Sequence, residues 1–133
     1  MPYTLHVVKT SDFIRYDGRG RIDPLRSRKL LERIAKACVD SGINCALLDI
    51  RGMHGSLAVK DLYGLVNAFK EMGFRHEHRL AILHTYTGAE RADFFAVCAS
   101  SRGWNVRAFE NFEEAMDWFA TEQELPELSH PAR

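Results

Sequence analysis

The apolar positions of this chain follow two different spacings, and the spacing changes along the sequence. Nearly continuous apolar runs of strand length occur at 43–50 and 79–86. Such runs are typical of strands that are buried on both faces of a parallel sheet. Shorter β-prone runs occur at 3–9, 13–16 and 104–109, so the pattern predicts five strands.

Between these runs, apolar residues recur every three or four positions, which predicts amphipathic helices. Each predicted helix has a capping signal at its start, where a side-chain oxygen can accept a hydrogen bond from a free backbone amide. Asp23 precedes Pro24 at the first start. Ser56 is a candidate N-cap for the second helix. The spacing of a capping box occurs at Thr87–Glu90 and at Asn111–Glu114, before the third and fourth helices.

The predicted order of elements is β-β-α-β-α-β-α-β-α. This order indicates an α/β domain whose sheet is mostly parallel, with helices on its faces. The short connection between 3–9 and 13–16 predicts an antiparallel N-terminal hairpin at one edge of the sheet. We therefore expect one mixed α/β domain over residues 1–120, with about four helices, followed by a loosely ordered tail over 121–133.

Composition narrows the range of functions. With 133 residues and a mass of 15.2 kDa, the chain has the size of one domain. Its 18 Lys and Arg balance 18 Asp and Glu, so no strong overall field favours nucleic acids or anionic membranes. No apolar stretch approaches the length of a membrane span and the N-terminus lacks a signal-peptide pattern, so we expect a cytoplasmic protein.

The sequence has no motif for a metal, a cofactor or a disulfide. Cys38, Cys45 and Cys98 are odd in number and widely spaced, which indicates reduced, structural thiols. His76 and His78 are close together but lack the further ligands of a zinc site. Neither a phosphate-binding loop nor a dinucleotide fingerprint is present, and we expect no cofactor.

One face of the first predicted helix is basic. A stripe of this kind is more often a solvated helix face than a binding surface, and acidic residues elsewhere cancel its charge. We therefore interpret it as solvated. Its residues are Arg26, Arg28, Lys29, Arg33 and Lys36.

Two strand-to-helix loops are candidate functional sites, because ligands of α/β sheets bind beyond the carboxyl ends of the strands. The first loop follows the central strand and carries Asp49, His54, Gly55 and Ser56. Its acid, glycines and hydroxyl could form an anion site or a phosphorylation site, because free amides at a helix N-terminus favour negative charge. A well-capped helix with glycines for turn geometry would explain the same residues.

The second loop carries Thr85, Thr87 and Gly88, whose hydroxyls are candidates for holding an anion or another ligand. Helix capping alone would also explain them. His54 beside Ser56 is the one local pairing of a base with a nucleophile, but proximity in sequence is weak support for a hydrogen bond. No nucleophile elbow is present, and we expect no enzymatic activity.

Two predicted helices carry adjacent aromatic residues, Phe94–Phe95 and Trp118–Phe119. Both members of such a pair cannot face the same core. One member of each pair could mark a hydrophobic patch, a dimer contact or an apolar ligand pocket. Packing at the boundary of the core would explain them equally simply.

Three segments together resemble a known family. They are the central strand segment 46–52, the strand 79–83 and the ending 106–119, where a strand ending in Phe109 is followed by an acidic cap, Ala115 and an aromatic pair. Over roughly residues 12–119, this arrangement resembles the STAS-like family related to anti-anti-sigma factors of the sporulation stage II protein AA type.

The resemblance implies a small regulatory domain that binds a protein partner, of the kinase or anti-sigma type, and is switched by phosphorylation of a serine after the central strand. Ser56 lies in the corresponding loop. The family's switch motif is Asp-Ser-Ser-Gly, whereas this chain has His54-Gly55-Ser56-Leu57. A homodimer is a further expectation, because an edge strand or the Trp118 region could pair with a second copy.

A second hypothesis comes from members that resemble the lipid-binding lobe of CRAL-TRIO proteins, whose sheet covers an apolar pocket. It implies a module that binds a small amphipathic molecule, with the helix 57–69 and the Phe94–Phe95 region as a wall of the pocket. An enzyme that uses His54 and Ser56 is a third hypothesis.

Overall fold

The computed structural model describes residues 12–121, in which strands and helices alternate. The elements are β1 Ile14–Asp17, β2 Gly20–Arg21, α1 Pro24–Ser41, β3 Cys45–Asp49, β4 Met53–His54, α2 Val59–Asn67, α3 Phe69–Met72, β5 Arg79–Leu83, α4 Ala89–Ser100, β6 Asn105–Phe109 and α5 Phe112–Ala120. A short 3-10 turn, Tyr86–Gly88, precedes α4. The second predicted helix is interrupted at Ala68, which divides it into α2 and α3.

The main sheet has the strand order β1-β3-β5-β6, and all of its neighbouring strands are parallel. The run at 43–50 does form a central strand, since β3 pairs with β1 on one side and β5 on the other. The predicted α/β class with a mostly parallel sheet is therefore confirmed. The first strand of the expected hairpin, at 3–9, and the tail at 122–133 lie outside the described residues.

The helices cover the two faces of the sheet unequally. Each strand of the main sheet lies next to the one that precedes it in the sheet, so right-handed connections bring α1 to α4 to the same face. Their apolar side chains form the larger core, to which Leu48 of β3 contributes. The neighbouring Leu47 points the opposite way, into a smaller core under α5.

Aromatic side chains fill the larger core below α3 and α4. Phe69 is 1% exposed and stacks on Phe74 with ring centroids 4.5 Å apart. Phe95 and Trp104 meet the same ring at 5.9 and 5.6 Å. Cys38 is buried in this core, and burial raises the pKa of its thiol to about 11.

The smaller core is closed by α5 and by a buried cation. Arg79 is 8% exposed, and its guanidinium donates to the Trp118 carbonyl at 2.6 Å in the last turn of α5. A cation at this end of a helix satisfies free carbonyls and opposes the helix dipole. Trp118 and Phe119 are both half-buried against the smaller core, so the expectation that the two members of such a pair cannot face the same core is wrong for this pair.

Two of the predicted caps are confirmed. The Asp23 carboxylate accepts from the Arg26 amide at 2.9 Å, one residue before α1 begins at Pro24. The Asn111 side chain accepts from the Glu114 amide at 3.1 Å at the start of α5. Each therefore satisfies a backbone donor that its helix would otherwise leave free.

The other two predicted caps are wrong. Helix α2 begins only at Val59, and its N-cap residue is Ala58, whose side chain makes no capping hydrogen bond. Burial of Leu57 keeps the chain extended between Ser56 and the helix, so Ser56 lies too far ahead of the helix to cap it. Thr87 belongs to the 3-10 turn, and its hydroxyl pairs with the Thr85 hydroxyl at 3.0 Å instead of with an amide of α4. Both loops therefore retain exposed hydroxyl groups that do not cap helices.

The described residues also bear on membrane insertion. Among residues 12–121, no helix combines the length and the apolar character needed to cross a bilayer.

Asp23→Ala should lower the free energy of unfolding by about 1 kcal/mol, because the first turn of α1 loses its side-chain cap. Ser56→Ala is the matched control, since Ser56 caps no helix, and its effect should stay within about 0.5 kcal/mol. Urea unfolding followed by circular dichroism measures both. Equal losses in the two variants would contradict the cap assignment.

Candidate functional site

A cavity of about 460 Å³ lies beyond the carboxyl ends of β3 and β5, on the face that α1 to α4 cover. Its walls are mostly aliphatic and come from the sheet, α1, α2 and α4. The apolar lining residues are Ile22, Leu30, Leu31, Leu48, Ile50, Met53, Leu57, Leu62, Leu65, Ile82, Ala92 and Phe95. The cavity is therefore an apolar chamber between the sheet and three helices.

The small ladder of β2 and β4 holds the first candidate loop over this cavity. Arg21 pairs with His54, and the Ile22 amide donates to the His54 carbonyl at 2.8 Å. Gly55 then turns the chain with a φ of 89°, a conformation that a side chain would oppose. The buried Leu57 fixes the far end of the loop in the core. His54, Gly55 and Ser56 are thereby held at the cavity.

The second candidate loop reaches the cavity from the end of β5. Thr85, Thr87 and Gly88 all line it, so both loops that the sequence singled out meet at one site. The Thr85 and Thr87 hydroxyls lie 3.0 Å apart and are exposed. Together with Ser27 of α1, they form part of a polar rim on an otherwise apolar chamber.

His84 is the buried polar group of the site, with 3% of its surface exposed. Its Nδ1 lies 2.8 Å from the Thr85 carbonyl, which can only accept, so Nδ1 carries a proton. Within residues 12–121, Nε2 of His84 has no hydrogen-bond partner. A buried ring nitrogen without a partner costs free energy unless water or a ligand satisfies it.

Arg91 supplies the positive charge of the site. It lies in the first turn of α4, is exposed and lines the cavity. Among the described residues it forms no ion pair, and no acidic side chain lines the cavity. The mouth therefore has a net positive charge when its histidines are neutral.

Asp49 is not part of this group, although the sequence places it in the same loop as Ser56. Alternation along β3 directs Leu48 into the larger core and Asp49 to the opposite face. There its carboxylate binds Arg51 at 2.8 Å and Arg15 at 2.9 Å. These arginines, above all the hydrogen bonds from Arg51, hold the pKa of Asp49 below its usual range despite its burial. Asp49 thus stabilises the carboxyl end of the central strand β3.

The aromatic pair of α4 is also divided. Phe95 is buried and lines the cavity. Phe94 does not reach it and instead contacts Tyr63 edge to face, with ring centroids 5.5 Å apart. Of the two residues singled out for the wall of a pocket, Phe95 thus lies at the cavity and Phe94 does not, because neighbouring positions on a helix point about 100° apart.

Sequence reasoning missed Arg91 and His84, and each had a detectable signal. His84 lies two positions after Ile82, so the alternation of a strand places both side chains on one face. Arg91 lies four positions after Thr87, which is one turn of a helix. Neither signal indicated that a cavity would lie there.

Comparison with known proteins gives limited information. No family model matches the chain, and no curated protein matches it. Among solved structures, an uncharacterized protein of the DUF3478 family from Shewanella loihica PV-4, described as having a SpoIIAA-like fold, is similar over 79% of this chain and 82% of that one. The identity is 23% and the TM-score is 0.45. At this identity and TM-score the likeness assigns neither a family nor a function to this chain.

Asp49→Asn should lower the free energy of unfolding near neutral pH by about 2 kcal/mol, because two arginines lose their charged partner. The pKa of Asp49 is lowered in the folded state, so its stabilisation exists above the ordinary aspartate range and is lost as the pH falls through the lowered value. The stability difference between the wild type and Asp49→Asn should therefore shrink in acid. Urea unfolding over a pH series measures it.

Asp17→Asn provides the comparison for this series. Asp17 pairs with Arg15 through a side chain that is 49% exposed, so its replacement should have a much smaller effect. A stability difference for Asp49→Asn that stays constant down to acid pH would contradict the assigned role of Asp49.

Proposed function

We propose that this chain is a non-enzymatic module that binds a small amphipathic molecule with an anionic head group. The observation that carries the proposal is the combination of an apolar chamber of about 460 Å³ with Arg91 at its rim, which forms no ion pair within the described residues 12–121. Sites for small molecules commonly have this size and this mixture of apolar walls with a few polar groups.

The walls favour an acyl or similar apolar tail. The side chains that line the chamber beneath the rim are mostly Leu, Ile and Phe. Each methylene that leaves water for such surroundings contributes about 0.8 kcal/mol. A tail that fills the chamber would therefore supply most of the binding free energy.

The rim favours a negatively charged head. Arg91 can bind a carboxylate or phosphate through two parallel hydrogen bonds, and the Thr85 and Thr87 hydroxyls offer further donors. Among residues 12–121, no acidic side chain lines the chamber to oppose an anion. With its proton on Nδ1, His84 offers Nε2 as a hydrogen-bond acceptor below the rim, which suits a hydroxyl group or a water beside the head group and not its anionic oxygens.

The head-group assignment predicts selective loss of anion binding. Arg91→Ala should weaken the binding of dodecanoic acid about tenfold, because a charged hydrogen bond is lost, and should leave dodecanol binding nearly unchanged. Displacement of a fluorescent fatty acid measures both ligands. Arg75→Ala is the control, since Arg75 is exposed and does not line the chamber. Equal loss for acid and alcohol would contradict the assignment.

The tail assignment predicts that filling the chamber abolishes binding. Ala92→Leu adds atoms to a side chain that faces the chamber, so the protein should keep its stability within about 1 kcal/mol and lose the fatty acid. Ala35→Leu is the matched control, because Ala35 is fully buried away from the chamber and has no space to fill. It should be destabilised by about 1–3 kcal/mol. Undiminished binding by Ala92→Leu would contradict the proposal.

A second function, regulated binding to a protein partner, is favoured by the position of Ser56. This serine is exposed, belongs to a loop between β4 and α2, and caps no helix, so its hydroxyl is accessible to a kinase. Phosphorylation would add nearly two negative charges at the rim that Arg91 also lines. The phosphate would then compete with an anionic ligand for that cation and change the surface offered to a partner.

Ser56→Glu tests this second function. Affinity purification of the full chain from its own cells should recover a protein that Ser56→Ala retains and Ser56→Glu loses, with phosphate on Ser56 in part of the wild type. Ser56→Glu should also bind dodecanoic acid several-fold more weakly, because the added charge repels the head group. Identical partners and identical fatty-acid affinity in both variants would contradict regulation through Ser56.

A further inference from the structure

Two large apolar side chains are exposed beside the cavity mouth. Leu25 is 63% exposed and lies in the first turn of α1, between the lining residues Ile22 and Ser27. Tyr86 is 83% exposed and lies between the lining residues Thr85 and Thr87. Both side chains adjoin lining residues in the sequence, so they are available to a surface that covers the cavity mouth.

A set of cations without acidic partners lies on the α1 side of the cavity mouth. We call it the basic rim, and it consists of Arg19, Arg21, Arg26 and Lys29. All of them are exposed, and within residues 12–121 none has an acidic partner, whereas Arg15, Arg28, Lys36 and Arg51 all do. The charges of the basic rim are therefore available to an external anion.

The structure changes the interpretation of the basic stripe on α1. Arg28 and Lys36 are paired with Glu32 and Asp40, as expected for a solvated helix face. Arg26 instead reaches toward the loop after β1 and donates to the Arg19 carbonyl at 3.4 Å. The stripe is thus divided, since Arg28 and Lys36 are paired and Arg33 lies over the Tyr16 ring. Only Arg26 and Lys29 join the loop after β1 to form the basic rim.

The basic rim borders the cavity. A groove of about 320 Å³ runs along it, lined by Arg19, Arg26 and Lys29 among others. The groove and the cavity share three lining residues, Ser27, Leu30 and Met53. A surface that contacts the basic rim would therefore also cover the region next to the cavity mouth.

Nearby acids do not cancel this charge. Asp17 is bound to Arg15, and Asp49 is bound to Arg15 and Arg51. Asp23 keeps its negative charge as the cap of α1, because the Arg26 amide that it accepts from is neutral, so it offsets one of the four charges of the basic rim. The chain is neutral as a whole, but the balance of charge on the α1 side of the cavity mouth is positive.

We infer that this edge of the domain docks on an anionic membrane surface, with Leu25 and Tyr86 entering the interface and the basic rim binding lipid phosphates. Exposed apolar side chains flanked by lysine and arginine are what an anionic bilayer attracts, because the apolar groups leave water while the cations stay at head-group level. Nucleic acid would use the cations but not an exposed leucine. The inference does not depend on what the cavity binds.

Sedimentation of the full chain with phosphatidylcholine vesicles, with and without phosphatidylglycerol, tests this inference. Binding should require phosphatidylglycerol and should weaken as salt is added. Arg19→Gln and Arg26→Gln should each reduce partitioning about fivefold, since each removes one cation from the surface. Leu25→Ser and Tyr86→Ser should reduce it about tenfold, because an apolar contact is lost.

The chain offers matched controls away from this edge. Lys70→Gln removes an exposed cation from α3, and Val97→Ser removes a side chain that is 67% exposed near the other end of α4. Neither should change vesicle binding. The inference is overturned if these controls reduce binding as much as the rim variants, if phosphatidylglycerol has no effect, or if RNA binds and the vesicles do not.

Failure of this inference can be told apart from failure of the proposed function. Dodecanoic acid binding is measured without vesicles, and the residues of the basic rim do not line the cavity. Arg19→Gln and Arg26→Gln should therefore bind dodecanoic acid like the wild type, while their partitioning onto vesicles falls about fivefold.

Discussion

The whole arrangement depends on parallel pairing between strands that follow one another in the main sheet. Because β1, β3, β5 and β6 are parallel neighbours in sequence order, every connecting helix returns over the same face. The starts of α1, α2 and α4 therefore collect at one edge of the sheet. The cavity lies where these helix starts and the strand ends leave space between them, and Leu57 anchors the loop that covers it.

The sequence predicted the sheet well, because buried parallel strands are nearly continuous apolar runs with little ambiguity. The central run at 43–50 and the run at 79–86 became β3 and β5. Caps were predicted correctly where a helix starts directly after its polar residue, as at Asp23. They were wrong where a tertiary contact intervened, as when burial of Leu57 delayed the start of α2.

The candidate site was predicted in part. Both loops were identified because strand ends in a parallel sheet share an edge, and residues of both loops do line one cavity. Asp49 and Ser56 lie on different sides of the sheet, although the sequence places them in one loop. Strand alternation determines the face to which Asp49 points, but it does not determine where a loop residue such as Ser56 lies. The cavity itself depends on the packing of four separate segments, and no pattern of single residues shows how closely these approach.

A neutral total charge concealed a local asymmetry. Asp49, Glu32 and Asp40 each form an ion pair, so a neighbouring arginine or lysine already balances the charge of each carboxylate. Four of the cations without an acidic partner, those of the basic rim, lie next to an apolar chamber, and two exposed apolar side chains adjoin residues of its lining. Ligand binding and surface docking would then use the same edge, so that a molecule could pass between a membrane and the chamber over a short path.

The most direct test of the central claim is site-resolved nuclear magnetic resonance of the full chain during titration with dodecanoic acid. The account predicts saturable changes in the amide resonances of Leu57, Thr85 and Ala92, which surround the chamber, while those of α5 stay in place. Changes confined to the face that carries α5, or no saturable change at all, would contradict it.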